Sequence, residues 1–158
     1  MVPDTARRWL YRRRRASRLA RFLNEAQARL AAAGVGPGWL VTVEVTGRRT
    51  GRTISFPAVI ADYDNDRYLV SMLGEDTNWV RNVRACGGHA VLRHGGPEPV
   101  ILQEVDAIRR APILRCYLQR ARGARAHIPV DPRAPVEAFR PIAARYPVFR
   151  ITADKAAA

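Results

Sequence analysis

The sequence predicts an α+β domain, mainly antiparallel β, in which about six short strands form a small closed or split barrel with helices inserted between them. Apolar residues alternate with period two in several short runs, most clearly at Trp39, Val41, Val43 and Val45, which is the signature of a half-buried strand. These runs are joined by glycine-, aspartate- and proline-rich turns rather than by helical crossovers, so they do not build βαβ units, which argues against a doubly wound parallel sheet. The length of 158 residues suits one domain with a real core and leaves too little for a second.

Taken in order, residues 1–37 form a basic helical segment and residues 38–158 the barrel domain. Residues 6 to 33 read as an amphipathic helix, because Ala16, Leu19, Ala20, Leu23, Ala26 and Leu30 recur at three- and four-residue spacing. Gly34, Gly36 and Pro37 end it. A first strand runs from Trp39, and a second covers Thr53 to Ala61, with Pro57 marking an edge or a bulge. Asp62 to Asp66 is a turn, and Arg67 to Met72 completes an antiparallel meander. After a loop from Leu73 to Asn78 comes a short helix, Trp79 to Arg84, closed by Gly87 and Gly88. His89 to His94 and Val100 to Val105 make a hairpin about Gly95-Gly96-Pro97, followed by a helix over Ala111 to Arg122. An irregular Pro-rich stretch, residues 123 to 135, precedes a helix around Val136 to Arg145 and a last strand, Val148 to Thr152.

Charge is the most unusual bulk property. Lysine and arginine total 27 against 14 acids, a formal net charge of +13, and every base but Lys155 is arginine. Eight arginines against Asp4 alone give the first 21 residues a charge of +7. Dense arginine on an amphipathic helix suits an anionic membrane surface, where each base contributes about 1 kcal/mol; the alternative is a solvated helix packed on the barrel. No apolar run approaches the roughly 20 residues that span a bilayer. The basic start lacks the apolar stretch of a secretory signal. Cys86 and Cys116 have the spacing of neither a thiol pair nor a metal site, and His89, His94 and His127 lack the spacing of a zinc site. No metal is expected, and the compartment implied is the cytoplasm.

Two motifs carry the chemistry. Thr46-Gly47-Arg48-Arg49-Thr50-Gly51-Arg52 packs three guanidiniums, two hydroxyls and two glycines into a hairpin tip, where glycine permits close backbone approach and arginine forks take phosphate oxygens bidentately. Asn78-Trp79-Val80-Arg81-Asn82-Val83-Arg84 then places an aromatic ring, amides and two arginines on one or two helical turns. An anion seat beside a planar, polar ligand is what the pair together fits; the turn alone also reads as a solvated Gly-rich loop.

These motifs, in this order, resemble the deazaflavin-dependent nitroreductases and quinone reductases of actinobacteria, over roughly residues 38 to 105. Members carry a Thr-Gly-Arg-(Arg or Lys)-(Thr or Ser)-Gly turn, matched at Thr46 to Gly51, and a Trp-x-x-Asn-(Leu or Val)-(Arg or Lys)-Ala segment, matched at Trp79 to Ala85. Many place a further basic residue soon after the turn; here Thr53, Ile54 and Ser55 stand there, and Arg52 is the nearest substitute. The resemblance implies the flavin-reductase-like split β-barrel shared with pyridoxamine-phosphate-oxidase-like proteins. It also implies coenzyme F-420, an 8-hydroxy-5-deazaflavin with a phosphate and a polyglutamate tail, as hydride carrier to a quinone or nitro acceptor. On that reading Arg48, Arg49, Thr50 and Gly51 hold the phosphate and Arg52 reaches the tail. Ser71, Met72, Leu73 and Gly74 run beside the deazaflavin, and Asn78, Trp79, Asn82 and Arg84 complete the pocket. Membrane-side quinone chemistry would place the protein peripherally at the inner face of the cell membrane, and barrels of this kind often form homodimers.

Hydride transfer asks the protein mainly to bind, orient and desolvate, and the sequence holds no obligatory triad or carboxylate pair. A proton for the reduced acceptor comes from solvent or from Tyr117, His127 or Tyr146, with His127 preferred because its Pro-rich stretch falls where family members contribute to the acceptor side. Two competing readings remain: the same fold holding riboflavin phosphate (FMN) or haem, and a basic binding module without redox activity. Nucleic acid is disfavoured as a partner, because the bases are not interleaved with aromatics and no recognised motif occurs.

Overall fold

The computed structural model describes Ala26, Arg29, Leu30 and residues 32–157. Most of the basic helix expected over residues 6 to 33 therefore lies outside the described residues; Ala26, Arg29, Leu30 and Ala32 are helical. Gly34 (φ 78°) follows, and its Cα side packs against Gly95, where an added Cβ would come within 3.2 Å of backbone. The Gly95 N–H donates to the Ala32 carbonyl at 2.9 Å, so this helix end is tied to the barrel.

Among the described residues, seven strands form one antiparallel sheet: β1 (Leu40–Thr46), β2 (Thr53–Val59), β3 (Ala61–Tyr63), β4 (Asp66–Val70), β5 (His89–Arg93), β6 (Pro97–Glu104) and β7 (Val148–Ala153). Their spatial order is β2-β1-β5-β6-β7-β4-β3. The two outermost strands, β2 and β3, are separated in the chain by Ile60 alone. One residue spans only about 3.3 Å, so the sheet must curl until its edges meet, and the result is a half-barrel.

Ile60 is the corner. Its N–H donates to the Trp39 carbonyl at 2.7 Å, and its side chain is buried in the barrel interior. This corrects the sequence reading at two points. The strand expected over Thr53 to Ala61 is two strands hinged at Ile60, and the expected meander does not form, because β4 pairs with β7 rather than with β2. β4 also stops short of Met72, since the Ser71 carbonyl turns to accept from the Gly74 N–H. Pro57 lies on β2, an edge strand, where a missing donor costs least. The β3–β4 turn is the two-residue kind, Asp64 (φ 51°) and Asn65 (φ 63°) both left-handed, as the twist of a tight hairpin demands.

The sheet separates two cores. Inside the curl, Val41, Val43 and Val45 of β1 meet Leu69, Leu92, Val100, Leu102, Phe149 and Ile151, and helix α1 (Asn78–Ala85) plugs this interior with Val80 and Val83. On the other face, Tyr68, Val70 and Val148 pack against helix α2 (Arg110–Arg120) and the turns that follow it. Leu69 points one way and Tyr68 and Val70 the other, the period of two expected of a strand covered on both faces. The segment Val136–Arg145 is wound as 3-10 helix, with Pro141 within it removing a backbone donor. A further 3-10 turn, Arg122–Ala126, occupies the start of the stretch expected to be irregular.

Candidate functional site

β1 and β2 deliver the cationic turn at one end of the half-barrel. The Gly47 N–H donates to the Arg52 carbonyl and the Gly51 N–H to the Gly47 carbonyl, both at 2.8 Å, closing its base. Gly51 is required by its conformation (φ 68°), with open space around it. Gly47 is required by crowding, since a Cβ there would lie 3.1 Å from the Ile54 Cδ1 and 3.2 Å from the Arg52 carbonyl oxygen. The Thr50 Oγ1 accepts from the Arg52 N–H at 3.3 Å and keeps its own O–H to donate.

The two sequence motifs meet directly. Asn82 of α1 is 2% exposed, and its Oδ1 accepts from the Arg48 N–H at 3.2 Å and from the Arg48 Nη1 at 2.9 Å. Arg49, Thr50 and Arg52 stay exposed, and among the described residues neither the Arg49 nor the Arg52 guanidinium has an acidic partner. Trp79 stands one helical turn from Asn82 on the same face. Its ring packs between Phe56 of β2, at 5.3 Å and 34°, and Phe149 of β7, at 5.4 Å and 56°. The turn that carries Arg49 and Arg52 is thus joined, through Arg48 and Asn82, to the helix that carries Trp79.

The remaining sequence candidates are placed differently. Ser71 is buried and donates its hydroxyl to the Gly74 carbonyl at 2.7 Å, with the Thr77 Oγ1 at 3.2 Å, so it folds the loop that leads into α1. Gly74 (φ 90°) turns that loop, Leu73 is exposed, and Met72 packs against the helical core. Asn78 opens α1 and is exposed. Arg84 is held by carboxylates on two sides: its Nε and Nη2 bond Glu104 at 2.9 and 2.6 Å, and its Nη1 bonds Glu75 at 3.0 Å. These hydrogen bonds, to Glu104 first and Glu75 second, raise its pKa further above the usual arginine range. Arg84 therefore braces α1 against β6 and the preceding loop.

Tyr117 and Tyr146 belong to the core on the helical side of the sheet, away from the core that holds Trp79. Tyr117 is 5% exposed within that core, and burial pushes its phenol well above its usual value, so it is placed to pack rather than to meet a ligand. The Tyr146 hydroxyl donates to the His127 carbonyl at 2.9 Å; burial raises its pKa, with Arg145 acting in the opposite sense. The two tyrosines are thus not brought to the cationic turn, and the His127 backbone lies beside Tyr146.

Sequence reasoning missed Phe56 and Phe149 as neighbours of Trp79, and it missed Arg110. Phe56 could have been found, because a hairpin about residues 47–52 puts it opposite Val43. Nothing in the sequence separates Arg110 from the chain's many exposed arginines. Among the described residues no helix is long and apolar enough to cross a membrane.

No family model and no curated protein matches this chain. Solved structures do. The chain is similar to a domain-swapped dimer at 16% identity and TM-score 0.51, covering 85% of this chain and 93% of that one. It is similar to an F-420-H2-dependent reductase at 16% identity and TM-score 0.50, covering 72% and 94%. It is also similar to a heme binding protein from Mycobacterium smegmatis at 11% identity and TM-score 0.50, covering 81% of this chain and 50% of that one. Likeness at these identities establishes the fold alone, a split β-barrel.

Proposed function

We propose that this chain is an oxidoreductase that binds coenzyme F-420 and passes a hydride from its reduced form to an organic acceptor such as a quinone or nitro compound. The observation that carries this is the junction of the two motifs: Asn82 of the Trp-x-x-Asn segment grips Arg48 of the Gly-Arg turn, and the exposed Arg49 and Arg52 of that turn have no acidic partners among the described residues. The residues present fit the group. Arg49, Arg52 and the Thr50 hydroxyl would hold phosphate and tail, and the Trp79 cluster would border the ring. When bound, the deazaflavin supplies the hydride. The chain's own part would be to neutralise the tail, orient the ring and limit water at it. The reductase and the heme binding protein share this fold, so the ligand must be decided by measurement.

The test is a fluorescence and absorbance titration of the full chain with coenzyme F-420, riboflavin phosphate and haem. Affinity for F-420 is expected to exceed that for riboflavin phosphate at least tenfold, because one more charge-assisted hydrogen bond contributes about 1.5 to 3 kcal/mol. Equal affinity for both, or none for either, overturns the reading.

The basic segment 1–21, with a charge of +7, is assigned in the same proposal to the anionic inner face of the cell membrane, and a homodimer is the assembly, in line with the domain-swapped neighbour. Changing Arg12, Arg13, Arg14 and Arg15 together to glutamine should sharply reduce co-sedimentation with anionic vesicles at low salt while leaving coenzyme affinity unchanged. The wild-type contact should weaken with salt, since exposed charges are screened within about 10 Å at 0.1 M. Equal vesicle binding by the two proteins would remove the membrane role.

A further inference from the structure

We propose that Asn82 is a positioning residue: its carboxamide oxygen fixes Arg48, and through it the tip of the cationic turn, so that Asn82 governs phosphate affinity without touching the ligand. This rests on the reading of the turn as a phosphate seat. Both groups that face the oxygen, the Arg48 N–H and Nη1, are donors, so the orientation of the amide is dictated by its partners rather than chosen. The two bonds grip one residue at its backbone and at the far end of its side chain. Position and rotamer are therefore fixed together.

The bonds that close the turn act at its base, on Gly47, Gly51 and Arg52. Among the described residues, the Arg48–Asn82 pair is the only hydrogen bonding that ties the tip of the turn to another element. Asn82 can bear this because it is itself immobile, 2% exposed between Val80 and Val83 on the buried face of α1. An arginine side chain carries about 2 kcal/mol of rotamer entropy; restricting Arg48 during folding means that this cost does not fall on ligand binding. The choice of amide matters too. An aspartate here would hold Arg48 equally well but cancel one of the three positive charges of the turn, whereas asparagine holds it and leaves the field intact.

The experiment compares the full-length wild type with Asn82→Leu, which keeps the volume, and Asn82→Asp, which keeps the acceptor. Two readouts are taken: hydrogen exchange of the Arg48 amide, and fluorescence titration with coenzyme F-420 and with its phosphate-free core, 8-hydroxy-5-deazariboflavin. Asn82→Leu should speed Arg48 exchange and weaken F-420 binding about tenfold, the equivalent of 1.4 kcal/mol, with the core's affinity unchanged. Asn82→Asp should keep Arg48 protected yet still weaken F-420 alone. Unaltered Arg48 exchange in Asn82→Leu, or equal loss for F-420 and its core, overturns the assignment, the latter because it would put Asn82 at the ring. Should Asn82→Leu fail to fold, Asn82→Asp decides by its selective effect on F-420. If the wild type binds no F-420, the functional reading fails, while Arg48 exchange still settles what Asn82 does.

Discussion

Replacing Arg110 by alanine should destabilise the fold by about 2 to 5 kcal/mol, the cost of leaving several backbone carbonyls without their donor. Arg110 is 6% exposed at the start of α2. Its Nε donates to the Val105 carbonyl at 2.8 Å and its Nη2 to Glu104 at 3.2 Å, while Nη1 makes longer contacts of 3.3 to 3.5 Å with the carbonyls of Tyr146, Ala143 and Ala144. One guanidinium thus joins the end of β6, the start of α2 and the approach to β7. Removing it leaves buried carbonyls without donors, each costing about 1 to 3 kcal/mol if water cannot reach it. Urea unfolding followed by circular dichroism measures the loss, and a change below 1 kcal/mol would show that water replaces the side chain. Arg110→Lys should fall between, since an ammonium keeps the charge but cannot reach all these carbonyls at once.

The same network gives an acid dependence. Glu104 lies below its usual value of 4.5, chiefly through the hydrogen bond from Arg84 and then the charges of Arg84 and Arg110, with burial opposing. Its folded pKa is depressed, so its contribution is present above the ordinary carboxylate range and is lost as pH falls through the folded value. Glu104→Gln should flatten that part of the stability profile.

What the sequence could reveal follows from how far apart the determining residues are. β1 was legible because Val41, Val43 and Val45 declare a face within seven residues. The turn at 47–52 and helix α1 were legible for the same reason, each carrying its own glycine or amphipathic signal. Strand order was not. That β4 lies beside β7 and that Ile60 turns a corner are consequences of closing the curl, and no local pattern records them. The site divides likewise. The concentration of guanidiniums was visible, but which of them would be spent inside the protein was not: Arg48 is taken by an amide 34 positions away, and Arg84 by Glu75 and Glu104. Tyr117 looked available because a tyrosine on a helix shows its polar end in the sequence and hides its packing, and the fold buries it beside Leu114 and Leu118.

The guanidiniums left over bear the largest functional prediction. Changing Arg49 and Arg52 together to alanine should weaken binding of coenzyme F-420 by about a hundredfold or more, since each lost charge-assisted bond is worth about 1.5 to 3 kcal/mol. The melting temperature should not move, because among the described residues neither guanidinium has an acidic partner to lose. That combination separates a ligand site from a structural one: a fall in melting temperature would mean that the pair supports the fold, and unchanged affinity would return the turn to a solvated loop. Salt supplies a second axis. Both side chains are exposed, so wild-type affinity should fall as ionic strength rises, and the double variant should show a shallower dependence because two fewer charges are screened. Arg48→Ala should do less than this pair, because Arg48 already spends its Nη1 and its backbone N–H on Asn82. An arginine held by the protein shapes the seat, whereas an arginine free of the protein has its full hydrogen-bonding fork to give to a phosphate.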